Sequence, residues 1–305
     1  MFKVTIAATT VIIAAGTIAY HKSDSTLRSD EQYLEVAKLR HRLKPLHQPM
    51  DAVQPGDWLE SHHESGQSLR QYVRANPIRL TKQRDTLYVL PLGAFNESQE
   101  QIVKLSAEFL SICFGCKVEM LDRIGLEVIP TEARRHHPSW GMRQLLSTYI
   151  LKNVLEPRLP DDAVALIAFT TSDLWPGEGW NFVFGQAALR ERVGVWSIYR
   201  NGDPTQGDLE YKTCLMRTLK TAAHETGHMF SIKHCLAYEC NMCGSNNREE
   251  SDRRDIYMCP DCVAKIWYST NCDPRERFKR LQEFFEDLDL DKESAFYKKS
   301  LEALK

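Results

Sequence analysis

Hydrophobic positions along the chain fall into short runs that end at proline, glycine or asparagine, and their spacing predicts alternating strands and helices. In chain order the pattern predicts a strand at 86–93, a helix at 97–113 capped by Asn96, a strand at 117–129, a helix after Ser139 and a strand at 163–171. Strands and helices that alternate in this way form a largely parallel sheet with crossover helices. The pattern therefore predicts an α/β fold.

Two short apolar runs follow, NFVFGQA (181–187) and VGVWSIYR (193–200), separated by a polar turn. We expect them to form an edge strand and an inner strand that together make one wall of a substrate groove. A longer helix is predicted from Tyr211 to Phe230, and the end of the chain predicts two helices near 275–287 and 294–304.

The first part of the chain differs in composition from the rest. Residues 4–20 carry no charge and lie at the lower limit of length for a membrane-spanning helix. They can be a cleaved export signal, an uncleaved membrane anchor or a wrongly assigned start, in which case the protein is cytoplasmic; the lack of an A-x-A cleavage site favours the anchor. We divide the chain into this apolar segment (1–20), a polar linker (21–56) whose residues 30–44 form a spacer helix with little to bury, and one domain (57–305).

Composition is that of an ordinary globular protein, with 43% hydrophobic and 26% charged residues. A formal net charge of −2 gives no electrostatic basis for binding nucleic acid. The nine cysteines are an odd number, and those between Cys235 and Cys272 include C-x-x-C spacings, which favours metal binding over a disulfide framework. The pair Cys113 and Cys116 follows a helix instead of starting one, so we expect two buried structural thiols.

The stretch HETGH (224–228) has the form H-E-x-x-H, and His234 follows it. On a helix, His224 and His228 lie one turn apart on the same face and can point at a common centre. A third imidazole from His234 leaves a fourth position open, as a catalytic zinc requires. Zinc lowers the pKa of bound water from ~15.7 to about 7, and Glu225 is placed to take a proton from that water as it attacks a scissile carbonyl.

The extended motif resembles that of the metzincin metallopeptidases, H-E-x-x-H-x-x-G-x-x-H followed by a methionine turn. The resemblance over residues 57–290 is to the archaemetzincin (archaelysin) family, and it is carried by HETGHMFSIKHC, CNM at 240–242, CPDC at 259–262, GDWL near 57, LPLG at 90–93 and FVFGQA at 182–187. The resemblance implies a catalytic zinc on His224, His228 and His234, Glu225 as the general base, and Met242 as the hydrophobic floor beneath the metal.

The cysteines that follow the motif allow two metal-binding sets. Spacing alone favours Cys240 and Cys243 with Cys259 and Cys262, a standard tetrathiolate zinc pattern. The resemblance instead implies a structural zinc on Cys235, Cys240, Cys259 and Cys262, with Cys243 as a spare thiol. We follow the resemblance, because a zinc on Cys235 would stiffen the segment that carries His234. A set of disulfides is the alternative in an oxidising compartment.

Two residues depart from the family pattern. Ser231 stands where the family has a glycine that leaves the helix in a left-handed conformation. Serine there would cost ~1–2 kcal/mol of strain and loosen His234. Gly244 stands where some metzincins have a tyrosine, so stabilisation of the oxyanion falls to the zinc itself or to another group.

We therefore predict one metzincin-like zincin domain of the α/β class, with a twisted, mostly parallel mixed sheet, an antiparallel edge strand, an active-site helix and a zinc-stapled C-terminal part. The predicted function is zinc-dependent hydrolysis of peptide bonds in a peptide or protein substrate, by a monomeric aminopeptidase or endopeptidase with two zinc ions per chain. One alternative is a non-catalytic zinc-binding interaction module whose site is impaired at Ser231. Another is a metal hydrolase of non-peptide amides.

Overall fold

A five-stranded sheet forms the centre of the fold. The computed structural model describes residues 30–305, with side chains from Tyr33 onward. Its strands are β1 (Thr86–Leu92), β2 (Lys117–Met120), β3 (Arg134–His136), β4 (Arg143–Leu146), β5 (Ala163–Thr170), β6 (Asp173–Trp175), β7 (Gly185–Ala188) and β8 (Val193–Ser197). The central sheet has the order β2-β1-β5-β8-β7, and only the edge strand β7 runs antiparallel to its neighbour. The predicted α/β class, the mostly parallel sheet and the antiparallel edge strand are confirmed.

Helices cover the sheet and form the C-terminal part of the described chain. The α-helices are α1 (Asp30–Leu43), α2 (Trp58–Ser61), α3 (Leu69–Arg74), α4 (Glu97–Phe114), α5 (Ser147–Tyr149), α6 (Asp208–Met229), α7 (Arg248–Arg253), α8 (Pro260–Thr270), α9 (Pro274–Glu286) and α10 (Asp291–Ala303). A π-helix spans Ile150–Leu155, and 3-10 turns lie at Lys44–Leu46, Leu126–Val128, Thr131–Ala133, Glu156–Arg158 and Tyr199–Asn201. The N-cap predicted for α4 is confirmed, because the Asn96 side chain accepts a hydrogen bond from the Gln99 backbone N–H.

The core lies on both faces of the central sheet. Every residue of β5 is buried, and successive side chains point to opposite faces because strand side chains alternate. Ile167 and Phe169 belong to the larger apolar cluster, which includes residues of α4, α6 and the C-terminal helices, whereas Leu166 and Ala168 pack with the π-helix. Helix α6 packs against β7 and β8, so the helix that carries the histidine motif lies beside the edge of the sheet.

Two sequence-based assignments between β1 and β5 are wrong in part. The strand predicted at 117–129 ends at Met120, and a 3-10 turn at 126–128 lies within the remainder. The helix predicted after Ser139 begins only at Ser147, because 143–146 form β4 in a second sheet of order β3-β4-β6. Gln144 is fully buried there and its amide donates to the Asp173 carboxylate over 2.8 Å. The apolar residues of this short stretch have helical spacing but form a strand. Sequence periodicity alone did not reveal that pairing.

The strand predicted at 181–187 is displaced, because β7 covers Gly185–Ala188 and Val183 makes only an isolated bridge to Leu174. Helix α8 was not predicted. Its first residue is Pro260, in the middle of the CPDC sequence that we read only as metal ligands. The two predicted C-terminal helices are present as α9 and α10.

The segment 30–44, which we expected to bury little, packs closely on the domain. Val36 and Leu43 are fully buried and Leu39 nearly so, and α1 lies against α8. Three apolar residues at helical spacing are enough to attach a short helix to a hydrophobic surface. The boundary at residue 57 stays a prediction. Among the described residues no helix is both long and apolar enough to cross a membrane. The predicted anchor at 4–20 lies outside these residues and also stays a prediction.

Candidate metal centre and active site

Helix α6 places two of the three motif histidines. Its first turn carries Asp208 and Glu210, whose negative charges interact favourably with the positive end of the helix dipole. Its buried face includes Leu215 and Leu219. The last two turns carry His224 and His228 on one face. The helix ends at Met229, and the chain then turns back. A helix therefore holds the first two histidines rigidly, while His234 lies in a segment without regular secondary structure.

The structure brings the three predicted histidines together. The Nε2 atoms of His224 and His228 are 3.0 Å apart, and one ring nitrogen of each histidine lies within 4.8 Å of those of the other two. The outer nitrogens are all engaged. His224 Nδ1 lies 2.7 Å from the Asn241 carbonyl, His228 Nδ1 lies 2.6 Å from the Ile232 carbonyl, and His234 Nδ1 lies 2.8 Å from a carboxylate oxygen of Glu64.

These contacts fit a metal ion. A neutral imidazole that donates from Nδ1 presents a lone pair at Nε2, so the three free nitrogens face one another. Burial and the neighbouring histidines lower the pKa of His224 well below its usual value and that of His228 to about 4. Both rings are therefore neutral at pH 7, the form that binds metals. Nitrogen lone pairs at such short distances are stabilised by a cation between them, and three imidazoles suit zinc.

Glu225 lies beside the histidines, half-buried, in a cleft that is also lined by Phe184 and Asn241. Burial raises the pKa of Glu225 to about 7, and a cation on the histidines acts in the opposite direction. Within residues 30–305 no hydrogen bond holds its carboxylate, so both oxygens are available to a ligand in the cleft.

Met242, which the resemblance implies lies beneath the metal, packs against the active-site helix at Gly227, the residue before His228. It is fully buried, and a Cβ built on Gly227 would lie only 2.5 Å from its sulfur atom. Glycine is therefore needed at position 227 for this close approach. The Met242 carbonyl also accepts a hydrogen bond from the Cys235 N–H over 2.8 Å, which connects the methionine turn to the residue after His234.

Four buried cysteines form a second cluster. Cys235, Cys240, Cys259 and Cys262 have sulfur atoms within 4.8 Å of one another and form no disulfides. The backbone N–H of Cys259 points at the Cys240 sulfur over 3.2 Å, a contact common around metal-bound thiolates. Cys243 is not a member of this set of four: its thiol donates to the Tyr238 carbonyl over 3.2 Å, and it also contacts the Cys235 side chain. The structure thus assembles the set that the resemblance implies and leaves out the Cys243 set favoured by spacing alone.

His62 and His63, in the segment before α3, belong to neither cluster. His63 is exposed, and His62 stacks on Trp58 with ring centroids 3.6 Å apart. Cys113 and Cys116 are buried thiols, as predicted.

Ser231 adopts the left-handed conformation expected at the end of the active-site helix, with φ 67°. Its hydroxyl accepts a hydrogen bond from the Ile78 N–H over 3.1 Å, and its carbonyl accepts one from the Gln67 side chain over 3.2 Å. Gln67 also accepts from the Lys233 N–H. The strained serine is therefore held by polar contacts that sequence analysis did not anticipate.

Glu64 contacts His234 but belongs to no metal-binding motif, so it was not predicted from the sequence. Burial acts to raise the pKa of Glu64, but hydrogen bonds from His234 and Trp58 hold this pKa below its usual value. A carboxylate in an irregular segment gives no periodic or spacing signal. Only the folded chain shows the contact.

Comparison with known proteins identifies the family of this chain. A family model described as peptidase family M54 matches residues 120–267. Archaemetzincin-2 of Homo sapiens is 30% identical over 272 residues, which cover 78% of this chain and 74% of that protein. This chain belongs to the archaemetzincin family. It is a zinc metallopeptidase, and its substrates are peptides or proteins.

An archaeal relative and a solved structure extend the comparison. The archaemetzincin of Thermococcus kodakarensis is 30% identical over 188 residues, covering 59% of this chain and 94% of that protein. The crystal structure of the archaemetzincin of Methanopyrus kandleri is 26% identical and covers 62% of this chain and 96% of that one, with a TM-score of 0.50. The fold of this chain is therefore the zincin-like α/β fold of the archaemetzincins.

Proposed function

We propose that this archaemetzincin hydrolyses peptide bonds with a zinc ion on His224, His228 and His234 and with Glu225 as the general base. The convergence of three Nε2 atoms beside an unpaired carboxylate carries the proposal. Three neutral ligands leave the charge of the metal uncompensated and one coordination position open. A purely structural site would have no use for Glu225. The geometry therefore favours catalysis over a zinc-binding interaction module.

The groove for the substrate runs along the edge strand β7. Gly185 of this strand lies against the active-site helix, since a Cβ built there would be 3.3 Å from the Cγ atom of Glu225. Strand β7 pairs with β8 on one side and is the last strand of its sheet. An extended peptide that pairs with the outer edge of β7 would place its backbone carbonyls beside Glu225.

Each residue of the site has a defined task in the reaction. Zinc, when bound, supplies Lewis-acid activation of water and of the scissile carbonyl. Glu225 accepts the proton of the attacking water and then delivers it to the leaving amine nitrogen. The backbone carbonyls of Asn241 and Ile232 keep His224 and His228 in the tautomer with a free Nε2. Gly185 and the edge of β7 orient the peptide.

We further propose a second, structural zinc on Cys235, Cys240, Cys259 and Cys262, which makes two ions per chain. All four thiols are buried, and they join the turn after His234 to the start of α8. A closed tetrathiolate site has no open position, so its role is to stabilise the fold. It stabilises a region that otherwise has few strands or helices.

Substitution of Glu225 by glutamine tests the catalytic proposal. Glu225→Gln keeps the shape of the side chain but cannot accept a proton, so we expect zinc content to stay the same and peptide cleavage to fall by a factor of at least about 100. The assay is cleavage of a peptide library followed by mass spectrometry, with metal content measured on the same samples. Glu210→Gln is the matched control, since Glu210 lies exposed in the first turn of the same helix.

The alternatives give different results in this assay. Equal cleavage by the wild type and by Glu225→Gln would remove Glu225 as the base. Absence of cleavage by the wild type with two zinc ions bound would instead support a non-catalytic module.

A further inference from the structure

The third histidine of the site is held differently from the other two. His224 and His228 belong to a long helix, and backbone carbonyls hold their Nδ1 atoms. His234 has no regular secondary structure around it, and its Nδ1 contacts a side chain. The orientation of its ring therefore depends on that side chain, Glu64, which lies 170 residues earlier in the chain.

Glu64 meets His234 with both carboxylate oxygens. The distances from His234 Nδ1 are 2.8 Å to Oε1 and 3.0 Å to Oε2, and both side chains are mostly buried, with 17% of the His234 side chain and 26% of the Glu64 side chain exposed. A hydrogen bond to a carboxylate is about twice as strong as one between neutral groups. Glu64 is thus the strongest of the three Nδ1 partners.

The carboxylate itself is fixed in place by Trp58. The indole Nε1 of Trp58 donates to Glu64 Oε1 over 2.9 Å, and the indole ring also meets the His234 ring edge-on, with centroids 5.4 Å apart. Gly244 makes room for this indole, since a Cβ built there would lie 2.5 Å from a carbon of the ring. Position 244, where some metzincins have a tyrosine, therefore accommodates the residue that orients Glu64.

Two residues that follow Glu64 in the chain, Gln67 and Ile78, also bind the turn that leads to His234. Gln67 bonds both the Ser231 carbonyl and the Lys233 N–H, and the Ile78 N–H donates to the Ser231 hydroxyl. All of these contacts come from residues before 120, outside the 120–267 range that matches the family model. They hold the backbone of the turn, whereas Glu64 acts on the imidazole directly.

We propose that Glu64 is a positioning residue for the catalytic zinc site: its carboxylate accepts the Nδ1 proton of His234 and thereby aims Nε2 of the third ligand at the metal. The inference rests on the proposed three-histidine site. A carboxylate behind a metal-binding histidine selects the tautomer and raises the basicity of the ligand nitrogen. Glu64 touches no substrate and takes no part in the proton transfers.

Zinc affinity of full-length variants tests this role. Glu64→Ala removes the acceptor and is expected to weaken zinc binding at the three-histidine site by about 10-fold to 100-fold, measured by competition with a chromogenic chelator. Glu64→Gln keeps an oxygen acceptor without the negative charge, so its affinity should lie between that of the wild type and Glu64→Ala. Glu60→Gln is the matched control, because the Glu60 side chain lies exposed in the same segment and accepts a hydrogen bond from the Gly56 N–H.

Two further measurements separate positioning from a merely structural role. Trp58→Phe removes the hydrogen bond to Glu64 but leaves the Glu64–His234 contact possible, so it should weaken zinc binding less than Glu64→Ala. In cobalt-substituted protein, Glu64→Ala should change the d–d absorption of the histidine site and leave the thiolate-to-metal absorption of the cysteine site unchanged.

Three results would overturn the inference. One is a zinc affinity of Glu64→Ala within about twofold of the wild type. Another is an unchanged d–d absorption of the histidine site in cobalt-substituted Glu64→Ala. If Glu64→Ala does not fold, the isosteric Glu64→Gln decides, and an affinity equal to that of the wild type refutes the role. Wild-type protein that binds zinc in this Glu64-dependent way but cleaves no peptide would refute the proposed function alone.

Discussion

Replacement of Ser231 by glycine or alanine tests how the turn between the second and third histidines is stabilised. Ser231 has a left-handed backbone at φ 67°, and its hydroxyl accepts the Ile78 N–H over 3.1 Å. Glycine relieves the backbone strain but removes the acceptor. Alanine removes the acceptor and keeps the strain. The two substitutions therefore separate the two effects.

For Ser231→Gly, the expected gains and losses in the free energy of unfolding nearly cancel. Relief of left-handed strain at position 231 gains about 1–2 kcal/mol. Loss of the hydrogen bond from Ile78 costs about 1 kcal/mol, and the greater freedom of glycine in the unfolded chain costs a further 0.5–1 kcal/mol or so. We expect Ser231→Gly to have a free energy of unfolding within about 1 kcal/mol of the wild type, and Ser231→Ala to be less stable by about 1 kcal/mol.

Urea unfolding of the zinc-loaded proteins measures both values, and kcat/KM on a cleaved peptide measures the effect on the site. Because Gln67 and Glu64 hold the turn and His234 independently of the serine hydroxyl, we expect Ser231→Gly to change kcat/KM little. A gain in stability of more than about 2 kcal/mol together with a large rise in activity would refute this reasoning. It would show that serine impairs the site, as expected if the protein is a non-catalytic zinc-binding interaction module.

Two further substitutions address the methionine turn and the cysteine cluster. Gly227→Ala should lower stability by up to about 2 kcal/mol, since overlap with the Met242 sulfur costs about 1–3 kcal/mol and helix propensity returns about 1. It should also lower kcat/KM, by about 100-fold if the turn moves by about 1 Å. The double variant with Met242→Ala should lose less stability than the two single variants lose together, because removal of the sulfur also removes the overlap. A fully active, more stable Gly227→Ala would contradict the packing argument. Cys243→Ser should keep both zinc ions, because the Cys243 thiol bonds the Tyr238 carbonyl, whereas Cys235→Ser should lose one zinc ion. Metal analysis that shows a lost zinc ion in Cys243→Ser and none lost in Cys235→Ser would assign Cys243 to the cluster.

The parts of the fold that follow from local patterns were predictable. The buried run of β5 and the capped helix α4 have strong periodicity and clear end signals, and both were placed within a residue or two. The stretch 139–146 was misassigned because β4 is stabilised as a strand by its pairing with β3 and β6, and β6 lies later in the chain. A strand that is stabilised by a distant neighbour carries little signal of its own.

The chemistry of the catalytic site was determined by the sequence itself. Two histidines four residues apart lie on one face of any helix, and a glutamate between them lies beside the same centre, so HETGH predicts a zinc hydrolase before any fold is known. The sequence also placed a methionine and several cysteines where the family pattern requires them.

Only the tertiary structure decided which distant groups complete the two clusters. Spacing alone allowed Cys243 as a member of the cysteine set, but the path of the chain places Cys235 there and turns Cys243 toward Tyr238. Glu64 reaches His234 across 170 residues of sequence, and Gly244 is needed because an indole from far upstream packs on it. The spacing of residues on a helix is a local property that can be seen directly in the sequence. Contacts between distant segments depend on how the whole chain packs, and no short sequence pattern encodes them.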